Sequence, residues 1–277
     1  MSAGKGPFTR ASAAGDLGEV ERLINDLAFP LDDLATIDLW TAFDTAVQND
    51  EVLIVDSLLT LVRPTQHNLV TAVENSSRYM IEILLQHGCD INQQLRSDCP
   101  GPLCLALSDP ELVQWLVEHG EDPNATCYFD ITALSVAAAS ASKEVIELLF
   151  KLGASADRGQ PLHYAVINGR SNDIVTLFLN KGTPINARMF ENHSRSFAQR
   201  ECLGLATPIH EAVQAKNVRL VQLLLKYGAN MNIPDTLGNF RNSRIWVMGL
   251  IILPTSEYCH LYDQGVTDKF TPPHDRS

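Results

Sequence analysis

The sequence predicts an all-helical repeat solenoid, and three observations predict it. Residues 207–232 read as two short helices joined by a tight turn. A unit of that size cannot bury its apolar face alone and needs stacked copies of itself. Six further segments repeat its pattern when aligned on Ala11, Ala46, Ala72, Ala106, Ala137 and Ala165, with Ala212 in the type unit.

The type unit shows why each element forms. Thr207 can cap a helix N-terminus, and Pro208 suits the first helical position because its missing N–H has no partner there. Ala212 leaves room for a neighbouring helix to approach. Leu220, Val221, Leu223, Leu224 and Leu225 supply the apolar side of the second helix. Gly228 then provides the left-handed conformation that ends it.

Taken in order, the units lie near 6–40, 41–66, 67–100, 101–131, 132–159, 160–206 and 207–238, after a short extension at 1–5. The alanine-to-alanine spacings are 35, 26, 34, 31, 28 and 47 residues, with the variation expected in the connections. The second and fifth units have shortened loops. The fourth has lost residues where its two helices meet, around Ser108 and Glu111. Between the sixth and seventh, residues 187–206 form a polar, locally basic insertion in an acidic chain. Such insertions are ordinarily tolerated surface loops; partner contact is the sharper reading.

The hexapeptides Thr-Pro-Ile-His-Glu-Ala at 207–212 and Gln-Pro-Leu-His-Tyr-Ala at 160–165, recurring near a 33-residue period, resemble the ankyrin repeat. The resemblance covers about 230 of the 277 residues. It implies stacked helix-turn-helix units with short β-hairpin fingers, and a function in protein–protein recognition without catalysis. It also gives His163 and His210 a structural role, bonding backbone near the fingers and linking neighbouring units. Asn92, Asn186 and Asn232 fall where fingers begin. Asparagines there can be hydroxylated in some lineages, but satisfying backbone groups in the turn is the plainer role.

Composition narrows the function. A net charge of -12 disfavours nucleic acid and anionic membrane surfaces, which need clustered Lys and Arg, and favours a basic or mixed protein partner. The longest apolar run, residues 246–253, is far short of the roughly 20 residues that span a bilayer. Six cysteines without C-x-x-C spacing, and no signal peptide, read as reduced thiols of a cytoplasmic or nuclear protein. The His-Glu-Ala-Val-Gln stretch at 210–214 lacks the second histidine of a zinc-protease helix, and no nucleotide-binding, nucleophile-elbow or calcium-loop motif occurs. His87 and His119 precede helix-ending glycines and suit the last carbonyls. No catalytic residue, cofactor or metal is expected, and the protein is expected to be monomeric.

What remains is a surface. By family analogy the fifth and eighth positions of each unit face the concave groove. They are apolar in the middle units, at Leu105, Val136, Tyr164 and Ile167, and polar at the seventh, at Glu211 and Gln214. An apolar centre with a polar rim is how protein-binding patches are built. The alternative is the ankyrin substrate-recognition part of a larger signalling or ubiquitin-ligase protein. The pattern stops at Gly238. Residues 239–277 read either as an irregular cap or as non-native sequence, with the second favoured.

Overall fold

The computed structural model describes residues 6–27 and 30–239, so the 1–5 extension and nearly all of the 239–277 tail lie outside the described residues. The described chain is a stack of paired helices, with no strand among the described residues. The first pair is α1 (Pro7–Ala14) and α2 (Leu17–Asn25), the second α3 (Asp33–Gln48) and α4 (Val52–Leu58), the third α5 (Gln66–Glu74) and α6 (Arg78–Gln86). A 3-10 turn at Pro102–Cys104 and α7 (Pro110–Glu118) make the fourth. Then follow α8 (Ala133–Ser140) with α9 (Lys143–Lys151), and α10 (Pro161–Ile167) with α11 (Asn172–Asn180). An extra helix, α12 (Ser194–Arg200), precedes α13 (Pro208–Gln214) and α14 (Val218–Lys226).

The first helices stack into one continuous row: α1, α3, α5, the Pro102–Cys104 turn, α8, α10 and α13 each pack on the next. Alanine makes that approach close. All seven aligned alanines are buried, none more than 5% exposed. The second helices turn Val55, Ile81, Val113, Ile146, Val175 and Val221 into the same core.

Local chemistry differs from expectation at three places. Thr207 occupies the N-cap position of α13, but its hydroxyl pairs with His210 Nδ1 at 2.7 Å instead of a backbone N–H. The signature position Thr41 falls inside α3, because Asp32 caps that helix nine residues earlier by accepting from Ala35 N–H. The end of the first unit, where a finger was expected, has become helix. In the fourth unit the first helix shrinks to the 3-10 turn. The lost residues leave no length for a further turn before Asp109 caps α7 by accepting from Glu111 and Leu112 N–H.

The fingers are turns and not paired strands; a single antiparallel bridge, Arg96 with Cys99, is the nearest approach to a hairpin. Side chains replace the missing ladder. Asp90, Asp122 and Asn230 each accept from the N–H two residues on, closing Asx-turns. Asparagines then join successive units. Asn92 Nδ2 donates to the Gly120 carbonyl at 2.9 Å while its oxygen accepts from Asp122 N–H. Asn124 does the same with Gly153 and Ser155, and Asn186 with Gly228 and Asn230. The series is interrupted at Asp157, whose carboxylate has no N–H to donate and accepts from Ser155 Oγ. Asn92 and Asn186 are therefore occupied at both ends of the amide, as the plainer role requires.

Asp38 ties the first pair to the stack. Its carboxylate accepts from Phe8 N–H at 2.9 Å, Thr9 N–H at 3.1 Å and Thr9 Oγ1 at 2.6 Å, all buried. Asp38→Ala leaves these donors unsatisfied and is expected to cost roughly 2–3 kcal/mol. Because a stack unfolds by units, the loss should be local. Hydrogen exchange should quicken across α1 and α2 while α10 stays protected; uniform loss of protection would refute this.

Candidate protein-interaction surface

The predicted surface residues lie on adjoining elements of the first-helix row. Leu105 follows the Pro102–Cys104 turn, Val136 is on α8, and Tyr164 is on α10. All three are half-buried and rest against the core. Ile167 lies one turn beyond Tyr164 and is 47% exposed, on a helix whose Leu162, Ala165 and Val166 are buried. Glu211 and Gln214 are on α13, the first half-buried and the second exposed. The structure thus places all six along one row, with Leu105 on non-helical backbone.

Residues 187–206 are not a loose loop. Their ends are held by His163, buried in α10, whose Nε2–H donates to the Ala206 carbonyl at 3.2 Å. Met189 N–H donates to the same carbonyl at 3.0 Å. Burial pushes the His163 imidazole down to about 4, with the Ala206 and Ala187 carbonyls opposing the shift. His163 is neutral at neutral pH and serves the structural role expected of it. His87 and His119 likewise bond Ile83 and Trp115 carbonyls through Nδ1 at 2.9 and 2.7 Å.

The insertion reaches both ways along the stack. Arg188 Nε donates to the Pro234 carbonyl at 2.9 Å, and Leu205 N–H donates to Thr236 Oγ1 at 2.8 Å. In the other direction, Gln199 Nε2 donates to the Tyr128 hydroxyl at 2.8 Å and Ser196 Oγ to the Tyr128 carbonyl at 3.4 Å. The Arg195 guanidinium lies over the Tyr128 ring at 4.3 Å, and that of Arg200 over Phe129 at 4.4 Å. Tyr128 and Phe129 meet edge-to-face at 5.1 Å.

Gln160 is the junction beneath. It donates from Nε2 to Asp130 at 2.7 Å, and its Oε1 accepts from Phe190 N–H at 3.0 Å. Its own N–H donates to Ser135 Oγ at 2.9 Å. One side chain thus joins the 121–131 loop, the start of α10 and the insertion. The insertion is thus anchored to the fold through buried polar groups. Tyr164 borders this assembly. Burial raises its phenol above the usual range, and the nearby Arg200 charge partly offsets that.

A second buried cluster sits behind Leu105. Glu121, 3% exposed, accepts from Leu103 N–H at 2.7 Å, while its Oε2 has no partner among the described residues. Burial pushes its carboxyl up to about 8, against the Leu103 hydrogen bond and helped by Cys99. Cys104, hydrogen-bonded to Cys99 and buried, holds its proton well above the usual thiol range. Cys89, Cys99, Cys104, Cys127 and Cys202 are all free thiols. Among the described residues no three His, Cys, Asp or Glu side chains are placed to hold a metal ion. No described helix is long and apolar enough to cross a membrane.

Sequence reasoning reached the row but missed Tyr128, Phe129, Gln160, Arg195 and Arg200. Adjacent aromatics in an otherwise polar loop, and arginines concentrated in one insertion, were the available signals. Only the fold brings segments 68 and 71 residues apart into hydrogen-bonding contact.

A row of stacked helix pairs presenting a partly apolar face, with polar turns at its edge, defines a repeat scaffold of the kind used in protein recognition. Residues 102–189 match the ankyrin-repeat family model in three copies and residues 205–236 match the single ankyrin repeat, so the chain carries ankyrin repeats. It is 26% identical over 194 residues to the ankyrin repeat protein FPV018 of fowlpox virus, which spans 63% of this chain and 26% of that one. A second fowlpox virus ankyrin repeat protein, FPV031, is 28% identical over 182 residues, 62% of this chain and 50% of its own. The Drosophila melanogaster transient receptor potential cation channel subfamily A member 1 is 27% identical over 133 residues, 46% of this chain and 10% of the channel. The chain therefore spans half or less of the length of these relatives. Among solved structures, the human ASB11 ankyrin repeat domain superposes with a TM-score of 0.55 at 21% identity, covering 81% of this chain and 99% of that domain. At that identity the likeness establishes the fold alone.

Proposed function

We propose that the chain is a non-catalytic protein-interaction module whose partner seats on Leu105, Val136, Tyr164 and Ile167, with Glu211 and Gln214 at the polar edge. The observation that carries this reading is Ile167. It is an aliphatic side chain 47% exposed one turn from the half-buried Tyr164, on a helix packed between α8 and α13. Aromatic and aliphatic anchors on a rigid surface are where interface energy concentrates. On this reading the repeat array spans residues 6–238, works as a monomer in the cytoplasm, and needs neither nucleic acid nor a membrane.

The Tyr164→Ala, Ile167→Ala double variant tests it. Affinity for a captured partner is expected to fall at least about tenfold while the melting profile stays close to wild type. Unchanged binding by a folded variant would overturn the groove.

A second reading has its own observation. The chain spans only 26% and 50% of the fowlpox virus proteins it resembles, so the array could serve as the recognition part of a larger polypeptide. Both readings use the same surface, and the same double variant tests it.

A further inference from the structure

Arg195 and Arg200 are cations with no carboxylate in contact with them among the described residues, in a chain of net charge -12. Three acids of the neighbouring segments are already engaged, while Glu201, next to Arg200 in the chain, is exposed to solvent. Asp130 is buried and accepts from Gln160, Asp98 pairs with Arg96, and Glu191 pairs with Arg188. Both guanidiniums instead lie over aromatic rings, Arg195 over Tyr128 and Arg200 over Phe129 and, at 5.1 Å, over Phe190.

A guanidinium attracted to a ring face still carries a planar fork of N–H donors. Such a fork matches a carboxylate in two parallel hydrogen bonds. Because the rings have already restricted these side chains, less rotamer freedom is lost when a ligand binds. The platform itself is rigid: Gln160 joins the loop that carries Tyr128 and Phe129 to the backbone of Phe190, and Gln199 ties α12 to the Tyr128 hydroxyl. Arg200 is also close enough to Tyr164 for its charge to act on the phenol. Tyr164 N–H donates to the carbonyl of Gln160, whose side chain holds Asp130 and the Phe190 backbone, so the arginine platform and the apolar anchor adjoin.

We infer that the partner presents an acidic peptide segment, its Asp or Glu carboxylates paired with Arg195 and Arg200 and an adjacent apolar side chain seated at Tyr164 and Ile167. This rests on the groove proposed above. It reverses, at this place, the preference for a basic partner that net charge alone suggests.

The test is a random-peptide display library panned against the full chain, followed by titration of an enriched synthetic peptide against variants. Enriched peptides are expected to be rich in Asp and Glu. Their affinity should fall as salt is raised, and drop roughly ten- to a hundredfold in Arg195→Gln, Arg200→Gln. Arg195→Lys, Arg200→Lys should recover part of the loss, since lysine keeps the charge but not the fork, which separates recognition from a folding defect. Neutral or basic enriched peptides, or acidic ones indifferent to both arginine variants, overturn the inference. If binding depends on Tyr164 and Ile167 but not on the arginines, the acidic preference fails and the groove stands. Dependence on the arginines alone overturns the groove, and failure to enrich any peptide counts against both.

Discussion

Gly159→Ala is expected to destabilise the array by roughly 3–5 kcal/mol, a loss that equilibrium urea unfolding reads directly. Two costs combine. Gly159 has φ 68°, a conformation that an alanine occupies with strain of about 1 kcal/mol. Its added Cβ would also stand 2.3 Å from Ser135 Oγ and 2.8 Å from Thr132 Oγ1. Neither hydroxyl can simply move aside. Thr132 Oγ1 caps α8 by accepting from Ser135 N–H at 3.1 Å, and Ser135 Oγ accepts from Gln160 N–H. Displacing them breaks a helix cap and loosens Gln160, the junction under the insertion. Ser135→Ala removes the closest clashing atom, so the double variant should be less destabilised than the two single effects added together. Simple additivity would show that the clash is not the cause.

Stability should also depend on pH in two opposite ways, set by two buried groups. The folded pKa of Glu121, about 8, lies above its ordinary 4.5. The native state therefore keeps a proton that the unfolded chain releases. Its contribution is fully present below pH 4.5 and is lost as pH rises through 8, at up to about 1.4 kcal/mol per pH unit. His163 has the reverse sign. Its folded value, about 4, lies below the ordinary 6.5, so its contribution is present above pH 6.5 and lost as pH falls through 4. Between 4.5 and 6.5 the two slopes oppose one another. Above 6.5 Glu121 acts alone, and stability is expected to decline from there to pH 8. Glu121→Gln keeps an oxygen to accept from Leu103 N–H but cannot ionise. Urea unfolding at a series of pH values should show the decline between pH 6.5 and 8 in the wild type and a flatter profile in the variant. A wild-type profile already flat over that range would exclude the mechanism.

Both predictions concern residues near the first-helix row, and their position explains how far sequence reading could go. The stacked-pair architecture was legible because it is written in local chemistry. A small alanine where helices meet recurs in all seven units, a glycine where the second helix ends in five, and a proline at the first helical position in four. Those requirements are short-range, so most units carry their own copy. The roles of His87 and His119 were legible for the same reason, since the adjacent helix end fixes which carbonyl each imidazole meets; that of His163 followed from the family resemblance, because its acceptor Ala206 lies 43 residues away.

The departures were set by what competes within a unit. Asp32 started α3 early because a good cap followed by helix-compatible residues prevails over the register of the repeat. In the fourth unit the deletion, with Asp109 capping α7 at Pro110, left Leu105 after a 3-10 turn instead of on a helix. The fingers lack strands because Asx side chains satisfy their backbone groups before a ladder can form.

By itself, then, the sequence determined the repeat, its stacking alanines, the carbonyl-bonding roles of His87 and His119, and the row on which Leu105, Val136, Tyr164, Ile167, Glu211 and Gln214 lie. The tertiary structure alone decided what stands beside that row. The 187–206 insertion docks against Tyr128 and Phe129, Gln160 satisfies groups from two other segments, and Glu121 is buried with one oxygen unpartnered. These are contacts between residues some 18 to 71 positions apart. Pairings of that kind depend on how consecutive units are offset and on which polar groups are left buried once they stack, and no local pattern encodes either.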